Sequence, residues 1–165
     1  MLAFTRETGG ETVLVAHNLG DEPAGIGPFA IAIGKHERTA DIVTVEINLR
    51  AWEYAEINKK LNKLANIKNY CWDVREARGL GTFDRIIMPL PEKAWQYLDS
   101  AFAAARKGAI IHLYGIEGEG SKELEQKVKE AAEAGNIKYR IAGEQRVLPY
   151  APHRYKVRLD IEVLR

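Results

Sequence analysis

The chain has 165 residues, 46% of them hydrophobic and 28% charged, with a formal net charge of +1. That length accommodates one domain with its own core and is too short for two, and the near-zero charge excludes a protein that grips nucleic acid through a global basic excess, though not through a local one. No apolar run approaches the roughly 18 residues of a membrane helix. Arg6 and Glu7 stand where a signal peptide would carry its apolar core, and the lone Cys71 permits no internal disulfide, so the expected compartment is the cytoplasm.

In chain order, Val13–Val15 is a short β-branched run, and Ile42–Ile47 (IVTVEI) is the second strand candidate. A helix is predicted over Leu49–Leu64, where Ala51, Tyr54, Ile57, Leu61 and Leu64 recur at helical spacing. Asn69–Asp73 is a weaker strand, and Phe83–Met88 (FDRIIM) a strong one. A helix is predicted from Pro91 to Lys107, with Gly108 just past its end. Ala109–Tyr114 (AIIHLY) is the fifth strand. The next helix runs from Ser121, a good N-cap, to Ala134, with Glu123–Lys127 and Glu125–Lys129 as i,i+4 pairs and Gly135 as its stop. Ile137–Ile141 is a further strand candidate. Tyr155–Val163 then alternates apolar and charged residues, a half-exposed strand. Apolar strands alternating with helices predict a single α/β domain with a mostly parallel sheet, closed by an antiparallel C-terminal pair.

Three strand-to-helix junctions carry candidate chemistry. Ala24-Gly25-Ile26-Gly27-Pro28-Phe29 lets the backbone turn sharply against a ligand; alone, G-x-G also fits a plain turn. Glu46 ends the second strand about 20 residues on, where Rossmann-like folds place an acid that accepts from both ribose hydroxyls. Asp73, after the third strand, can accept from an adenine amine. Each also reads singly as a surface acid. Together they predict a nucleoside-cofactor site. NAD(P) is the rival ligand, since Ala30 is permitted at the third glycine position; Asp73 and the antiparallel ending favour S-adenosylmethionine.

AGIGPFAIAIGK (24–35), VEIN (45–48), NKKLNKL (58–64), DVRE (73–76), FDRIIMPLPEKAWQYLDSA (83–101), GAIIHLYGI (108–116) and YAPHRY (150–155) resemble the archaeal and eukaryotic tRNA guanine-N1-methyltransferase family, which modifies guanosine 37 beside the anticodon and has relatives in wybutosine synthesis. The resemblance runs over nearly the whole chain from Glu11. It implies the class I S-adenosylmethionine-dependent methyltransferase fold, Rossmann-like, with seven strands and the last inserted antiparallel. It implies cofactor contacts at Asp21, Gly25, Gly27, Glu46, Ile47, Asp73, Val74 and Pro89, direct methyl transfer in one displacement, and tRNA as substrate.

Three departures accompany it. Val15–Gly20 lengthens the loop before the glycines, and Pro23 replaces an aromatic. The family's N-L-P or N-P-P motif, whose Asn orients the target base, reads Pro89-Leu90-Pro91; proline offers neither a side-chain hydrogen bond nor an N–H. The family's N-terminal RNA-binding domains and catalytic Glu-Arg segment have no counterpart beyond Arg6-Glu7, so Glu7 is a poor match for a general base and the catalytic residue is left unassigned. A separate chain supplying RNA-binding domains is one expectation. Two alternatives to a methyltransferase stand: a degenerate module that holds cofactor or RNA without chemistry, and an aminocarboxypropyl transferase of the wybutosine branch, which also lacks that Asn.

His153, Arg154 and Lys156, with Arg158, form a local basic cluster that reads either as a solvated strand face or as an RNA phosphate contact. His112 reads as a satisfied strand histidine rather than a catalytic one. Trp52, Trp72 and Trp95 read as core packing, and Lys59, Lys60, Lys63 and Lys68 as the wet side of a helix. No metal-ligand spacing is present, and neither a metal nor a membrane partner is expected.

Overall fold

The computed structural model describes residues 11–16 and 27–165. Seven strands form one sheet: β1 (Thr12–Ala16), β2 (Asp41–Val45), β3 (Ile67–Tyr70), β4 (Phe83–Met88), β5 (Ala105–Gly118), β6 (Tyr139–Ala151) and β7 (Arg154–Val163). Their spatial order is β3-β2-β1-β4-β5-β7-β6. The first five pair in parallel, and β7 lies antiparallel between β5 and β6. The predicted antiparallel ending is therefore an insertion: β7 pairs with both neighbours, and β6 is the outer edge. That edge is broken by Pro149 and three register shifts, features that discourage pairing with another chain.

The β-branched runs recognised in the sequence supply the buried centre of the sheet. On one face Leu14, Ile86, Ile111, Leu113, Leu159 and Ile161 pack against Leu98, Phe102 and Val128, which come from α3 (Leu98–Ala104) and α4 (Glu123–Ala134). On the other, Val13, Val15, Ile42, Ile67 and Ile87 pack against Ala30 and Ile33 of α1 (Pro28–His36).

Two helices depart from their predicted form. The helix α2 (Leu49–Leu61) stops three residues early, and its buried residues are Ala51 and Ala55. Tyr54, Ile57 and Leu61, predicted as its core face, are exposed, Leu61 by 74%. The small alanine face lies close to the sheet, and a polar clamp fixes it. Trp52 Nε1 donates to Asn69 O (3.2 Å), Asn69 Nδ2 donates to Glu56 Oε1 (2.6 Å), and Thr44 Oγ1 donates to Asn69 Oδ1 (2.5 Å). The predicted helix over 91–107 is a turn at 91–93, a 3-10 turn at Ala94–Tyr97, and α3, which ends at Ala104. Ala105 pairs with Phe83, and the chain then bulges before Ile110 pairs with Arg85. Gly108 supplies the left-handed residue of that bulge, at φ +84°, rather than a helix stop. The N-cap position of α4 is Lys122, although Ser121 Oγ still accepts from Glu123 N at 3.3 Å. Lys127 lies 3.7 Å over the Trp95 ring and Lys129 pairs with Glu133 at 3.9 Å; these contacts stand in place of the predicted i,i+4 pairs.

Candidate cofactor and RNA site

The carboxyl ends of β1, β2, β3 and β4 lie side by side, the place where open α/β sheets bind ligands. Gly27 directly precedes α1 at φ +77° and ψ 26°. A Cβ there would stand 3.5 Å from Ala55 Cβ, so the helix start is drawn against α2 by a residue that must be left-handed. Val15 and Ala16, read as the start of the lengthened loop, belong to β1 instead; the rest of that loop, with Asp21, Gly25 and Glu7, lies outside the described residues.

Glu46 follows β2 and is 2% exposed. Its backbone N–H donates to Tyr70 O at 3.0 Å, which ties it to the end of β3. Its Oε1 accepts from Asn48 N at 2.7 Å. Asn48 in turn caps α2 by accepting from Ala51 N at 3.1 Å. The carboxylate is thus fixed at the N-terminal end of a 13-residue helix, whose free N–H groups favour negative charge. Ile47 is exposed beside it, an apolar surface next to a buried acid.

Asp73 is not simply a strand-end acid. It caps the 3-10 turn Val74–Leu80, accepting from Arg75 N at 2.9 Å. The Arg75 guanidinium also donates to it, Nε at 3.0 Å and Nη2 at 2.5 Å. These bonds hold the Asp73 carboxyl below the usual carboxylate range. Arg75 is largely exposed and its guanidinium hydrogen-bonds to this carboxylate, so a ligand amine can share Asp73 by displacing a surface side chain. Val74 is buried beneath. Cys71 Sγ lies 4.0 Å from Ile47 O; burial, then Glu46 and Glu53, push its thiol up, which makes it a poor nucleophile. Trp72, predicted in the core, is exposed and stacks at a tilt on Tyr70, 4.7 Å between centroids.

The chemistry of this set fits an adenosyl group. A fixed buried carboxylate suits two neighbouring hydroxyls, Asp73 suits an exocyclic amine, and Ile47 offers a flat apolar contact. Pro89 follows β4, half-buried, and contributes shape alone.

The basic cluster is divided by the fold. Arg158 turns to Asp160, Nε 2.8 Å from Oδ1 and Nη2 donating to Oδ2 at 2.9 Å. Asp160 also accepts from His112 Nδ1 at 2.6 Å, while His112 Nε2 lies 3.1 Å from Arg85 Nη1. A guanidinium only donates, so Nε2 accepts and the imidazole proton sits on Nδ1. His112 is thus satisfied within the sheet. Arg154 and Lys156 instead converge on Tyr150, each 5.9 Å from its ring centre. His153 sits exposed in the β6–β7 turn at φ +56°, with Nδ1 3.6 Å from Glu119 Oε2.

Sequence reasoning missed Glu117. It closes a strand whose buried residues include Ile111, Leu113 and Gly115's neighbourhood, and it shares their parity. A carboxylate in step with buried residues is the signal that would have found it. Among the described residues, no group of three or more His, Cys, Asp or Glu side chains is placed to hold a metal ion. No helix is long and apolar enough to cross a membrane, again among the described residues.

Residues 6–142 match the family model described as the TRM5/TYW2 methyltransferase domain. The chain belongs to that family. Over 143 residues it is 35% identical to the tRNA (guanine(37)-N(1))-methyltransferase Trm5b of Pyrococcus abyssi, covering 85% of this chain and 42% of that protein. The crystal structure of that Trm5b superposes with a TM-score of 0.81 over 96% of this chain and 46% of the other, at 32% identity. M. jannaschii TYW2, solved in complex with AdoMet, superposes at 0.79 with 26% identity, covering 95% of this chain and 72% of that one. A complex of aTrm5 and tRNALeu superposes at 0.72 with 31% identity, covering 93% of this chain and 41% of that one. The chain thus spans less than half the length of its Trm5b relative, and the family-wide likeness agrees with the predicted class I architecture of the whole sheet.

Proposed function

We propose that the chain is the catalytic domain of an S-adenosylmethionine-dependent tRNA methyltransferase acting on N1 of guanosine 37. The observation that carries this reading is the fixed, buried Glu46 at the end of β2, next to Asp73 and the left-handed Gly27, in a chain whose relatives include a Trm5b and a TYW2 bound to AdoMet. In this reading Glu46 accepts from the ribose hydroxyls, Asp73 and the backbone at Val74 hold adenine against Ile47, and Asp21, Gly25, Gly27 and Pro89 line the methionine side. The cofactor supplies an electrophilic methyl on a sulfonium that departs as a neutral thioether. The protein's part is alignment of N1 with that methyl and removal of the N1 proton. Arg154, Lys156 and His153 meet RNA phosphates at the hairpin end. A cytoplasmic location, and RNA-binding domains on the same or a separate chain, complete the proposal.

Pro89 favours a second reading. With no donor or acceptor where the family has Asn, the domain either binds cofactor or RNA without transfer, or follows the wybutosine branch and transfers an aminocarboxypropyl group. Incubation with unmodified tRNA and cofactor labelled separately in the methyl and aminocarboxypropyl groups tests all three. Methyl label in guanosine 37 is the expected result. Aminocarboxypropyl label assigns the wybutosine branch. No incorporation, with calorimetric cofactor binding intact, assigns the binding module. In that last case Pro89→Asn is the variant in which methyl transfer is regained if the missing amide is the cause.

A further inference from the structure

Between α4, the turn after β4 and the β6–β7 hairpin lies a cavity of about 350 Å³. Its lining includes Trp95 and Tyr150, the carboxylates of Glu92, Glu117 and Glu123, the cations Lys127 and Arg154, and Gly115 and Leu124. Pro91 lines it, but Glu46, Asp73 and Pro89 do not. It is therefore distinct from the adenosyl site and adjoins, through Pro91, the motif with which the family orients its target base. The volume is near the lower end of ligand pockets, which run from roughly 300 to 1,000 Å³, enough for one base and its sugar.

Glu117 decides its chemistry. The residue is 5% exposed and lines the cavity. Its Oε1 accepts from Leu124 N at 2.8 Å, at the start of α4; no contact is recorded for Oε2 among the described residues. One oxygen is thus anchored by the backbone and holds the carboxylate in place. Tyr150 Oη donates to Glu92 Oε1 at 3.1 Å, which fixes an exposed ring at the cavity mouth. Arg154 stands 5.9 Å from that ring, and Lys127 is held over Trp95.

An ionised carboxylate presents two acceptors side by side. Of the four RNA bases, guanine alone offers two adjacent donors, N1–H and the N2 amine, on its pairing edge. Adenine and cytosine place an acceptor beside the amine, and uracil flanks its N–H with two carbonyls; each would set lone pairs against lone pairs. The aromatic rings of Trp95 and Tyr150 can stack on a base, and of the charged groups in the lining Lys127 and Arg154 can meet phosphate while the carboxylates of Glu92 and Glu123 oppose it.

We propose that this cavity is a guanine pocket that takes the base of an RNA nucleotide flanking the modified one, with Glu117 accepting from N1–H and N2–H, Tyr150 stacking, and Arg154 and Lys127 meeting phosphate. The proposal rests on the RNA-modifying reading above and adds a base-specific contact to it. The test uses the full chain. GMP, IMP, AMP and CMP are titrated against tryptophan fluorescence at a pH above the ordinary carboxylate range but below the alkaline range in which guanine N1–H ionises, and Trp95→Phe identifies the reporting residue. GMP is expected to shift the signal saturably, with AMP and CMP at least about tenfold weaker and IMP, which lacks the N2 amine, in between. Glu117→Gln retains an acceptor for Leu124 N while turning a donor toward the base, and should erase the preference for GMP. Tyr150→Ala, at an exposed site, should weaken all four nucleotides alike. An RNA trinucleotide with one central guanosine should bind more tightly than GMP through its second phosphate; equal binding would overturn the RNA assignment in favour of a free guanine nucleotide. No saturable signal, equal response to the four nucleotides, or a guanine preference that survives Glu117→Gln overturns the pocket. Calorimetry with S-adenosylmethionine runs in parallel: intact cofactor binding without guanine preference sinks this inference alone, whereas loss of cofactor binding sinks the function on which it rests.

Discussion

Asp160 holds together three strands, and Asp160→Asn measures how much. Its carboxylate accepts from His112 of β5 at 2.6 Å and from Arg158 Nη2 at 2.9 Å, and Arg158 Nε lies 2.8 Å from Oδ1 as an ion-pair contact. Arg85 of β4 completes the chain through His112 and pairs with Glu11 at 3.2 Å. The side chains of His112, Arg158 and Asp160 are 8%, 17% and 20% exposed, so water replaces little of what is lost. Asparagine keeps one acceptor but removes the charge opposing Arg158 and turns an amide donor toward a donor. Breaking a fully buried pair costs about 3–5 kcal/mol and losing a charged hydrogen bond about 1.5–3 kcal/mol; for this partly buried network the loss should be about 2–4 kcal/mol. Burial pushes the Asp160 carboxyl up, but the bonds from His112 and Arg158 outweigh it and leave the carboxyl below its ordinary value. A depressed carboxyl stabilises fully above its unfolded pKa, near 3.9, and that contribution disappears as pH falls through the lower folded value. Urea unfolding followed by circular dichroism should therefore show the wild-type advantage at neutral pH and its collapse in acid. A neutral-pH difference below about 0.5 kcal/mol, the range of an ordinary surface substitution, or one that does not shrink in acid, would refute the network as a source of stability.

Three further outcomes are expected. Glu46→Ala should weaken S-adenosylmethionine binding by about 1–3 kcal/mol if its hydrogen bonds to ribose are real; unchanged affinity by calorimetry removes Glu46 from the site. Gly115→Ala places a Cβ 2.6 Å from Leu124 Cδ2 and 3.0 Å from Cδ1, against a leucine that is itself buried, and overpacking of that kind should lower stability by about 1–3 kcal/mol. A melting temperature equal to wild type would mean that α4 can slide. Burial chiefly, with Glu144 adding and the Leu124 N–H opposing, raises the Glu117 carboxyl. Its contribution is greatest below the unfolded carboxyl pKa and is lost as pH rises through the folded value, so Glu117→Gln should flatten the stability profile on that side; parallel profiles would count against a buried acid.

The sheet was legible because its strands are β-branched runs with helices between them, and the site was legible where spacing alone places a residue at a strand end. Glu46 is such a case. The errors have a shared physical origin: helical spacing identifies a stripe but not which stripe is used. In α2 the stripe of Tyr54, Ile57 and Leu61 looked like the core face, yet Ala51 and Ala55 are buried, because small residues let the helix sit against Gly27 and the Asn69 clamp. The segment after Pro91 was periodic enough to read as one helix, while the pairing of Ala105 with Phe83 ended it early. Asp73, read as the end of a strand over 69–73, instead lies three residues past β3 and caps a 3-10 turn through Arg75, although an acid two residues before an arginine is an ordinary way to start a turn. His112 and Asp160 are separated by 48 positions, and no local pattern joins them.

The two ends of the candidate site are built by different parts of the topology. Gly27, Glu46 and Asp73 come from consecutive parallel crossovers, so their positions follow from a motif that any nucleoside-binding sheet shares. The cavity at Glu117 depends on the insertion of β7 between β5 and β6, which carries Tyr150 and Arg154 to the end of β5. It depends equally on Gly115, since only a residue without a side chain lets Leu124 seat the first turn of α4 so near the strand, and Leu124 N is the donor that fixes Glu117. A change at Gly115 should therefore disturb the Glu117 cavity before it reaches Glu46, three strands away in the sheet. If cofactor affinity and guanine preference fell together in Gly115→Ala while the fold persisted, the two ends would be one coupled site; preserved cofactor affinity with lost guanine preference is the result the topology predicts.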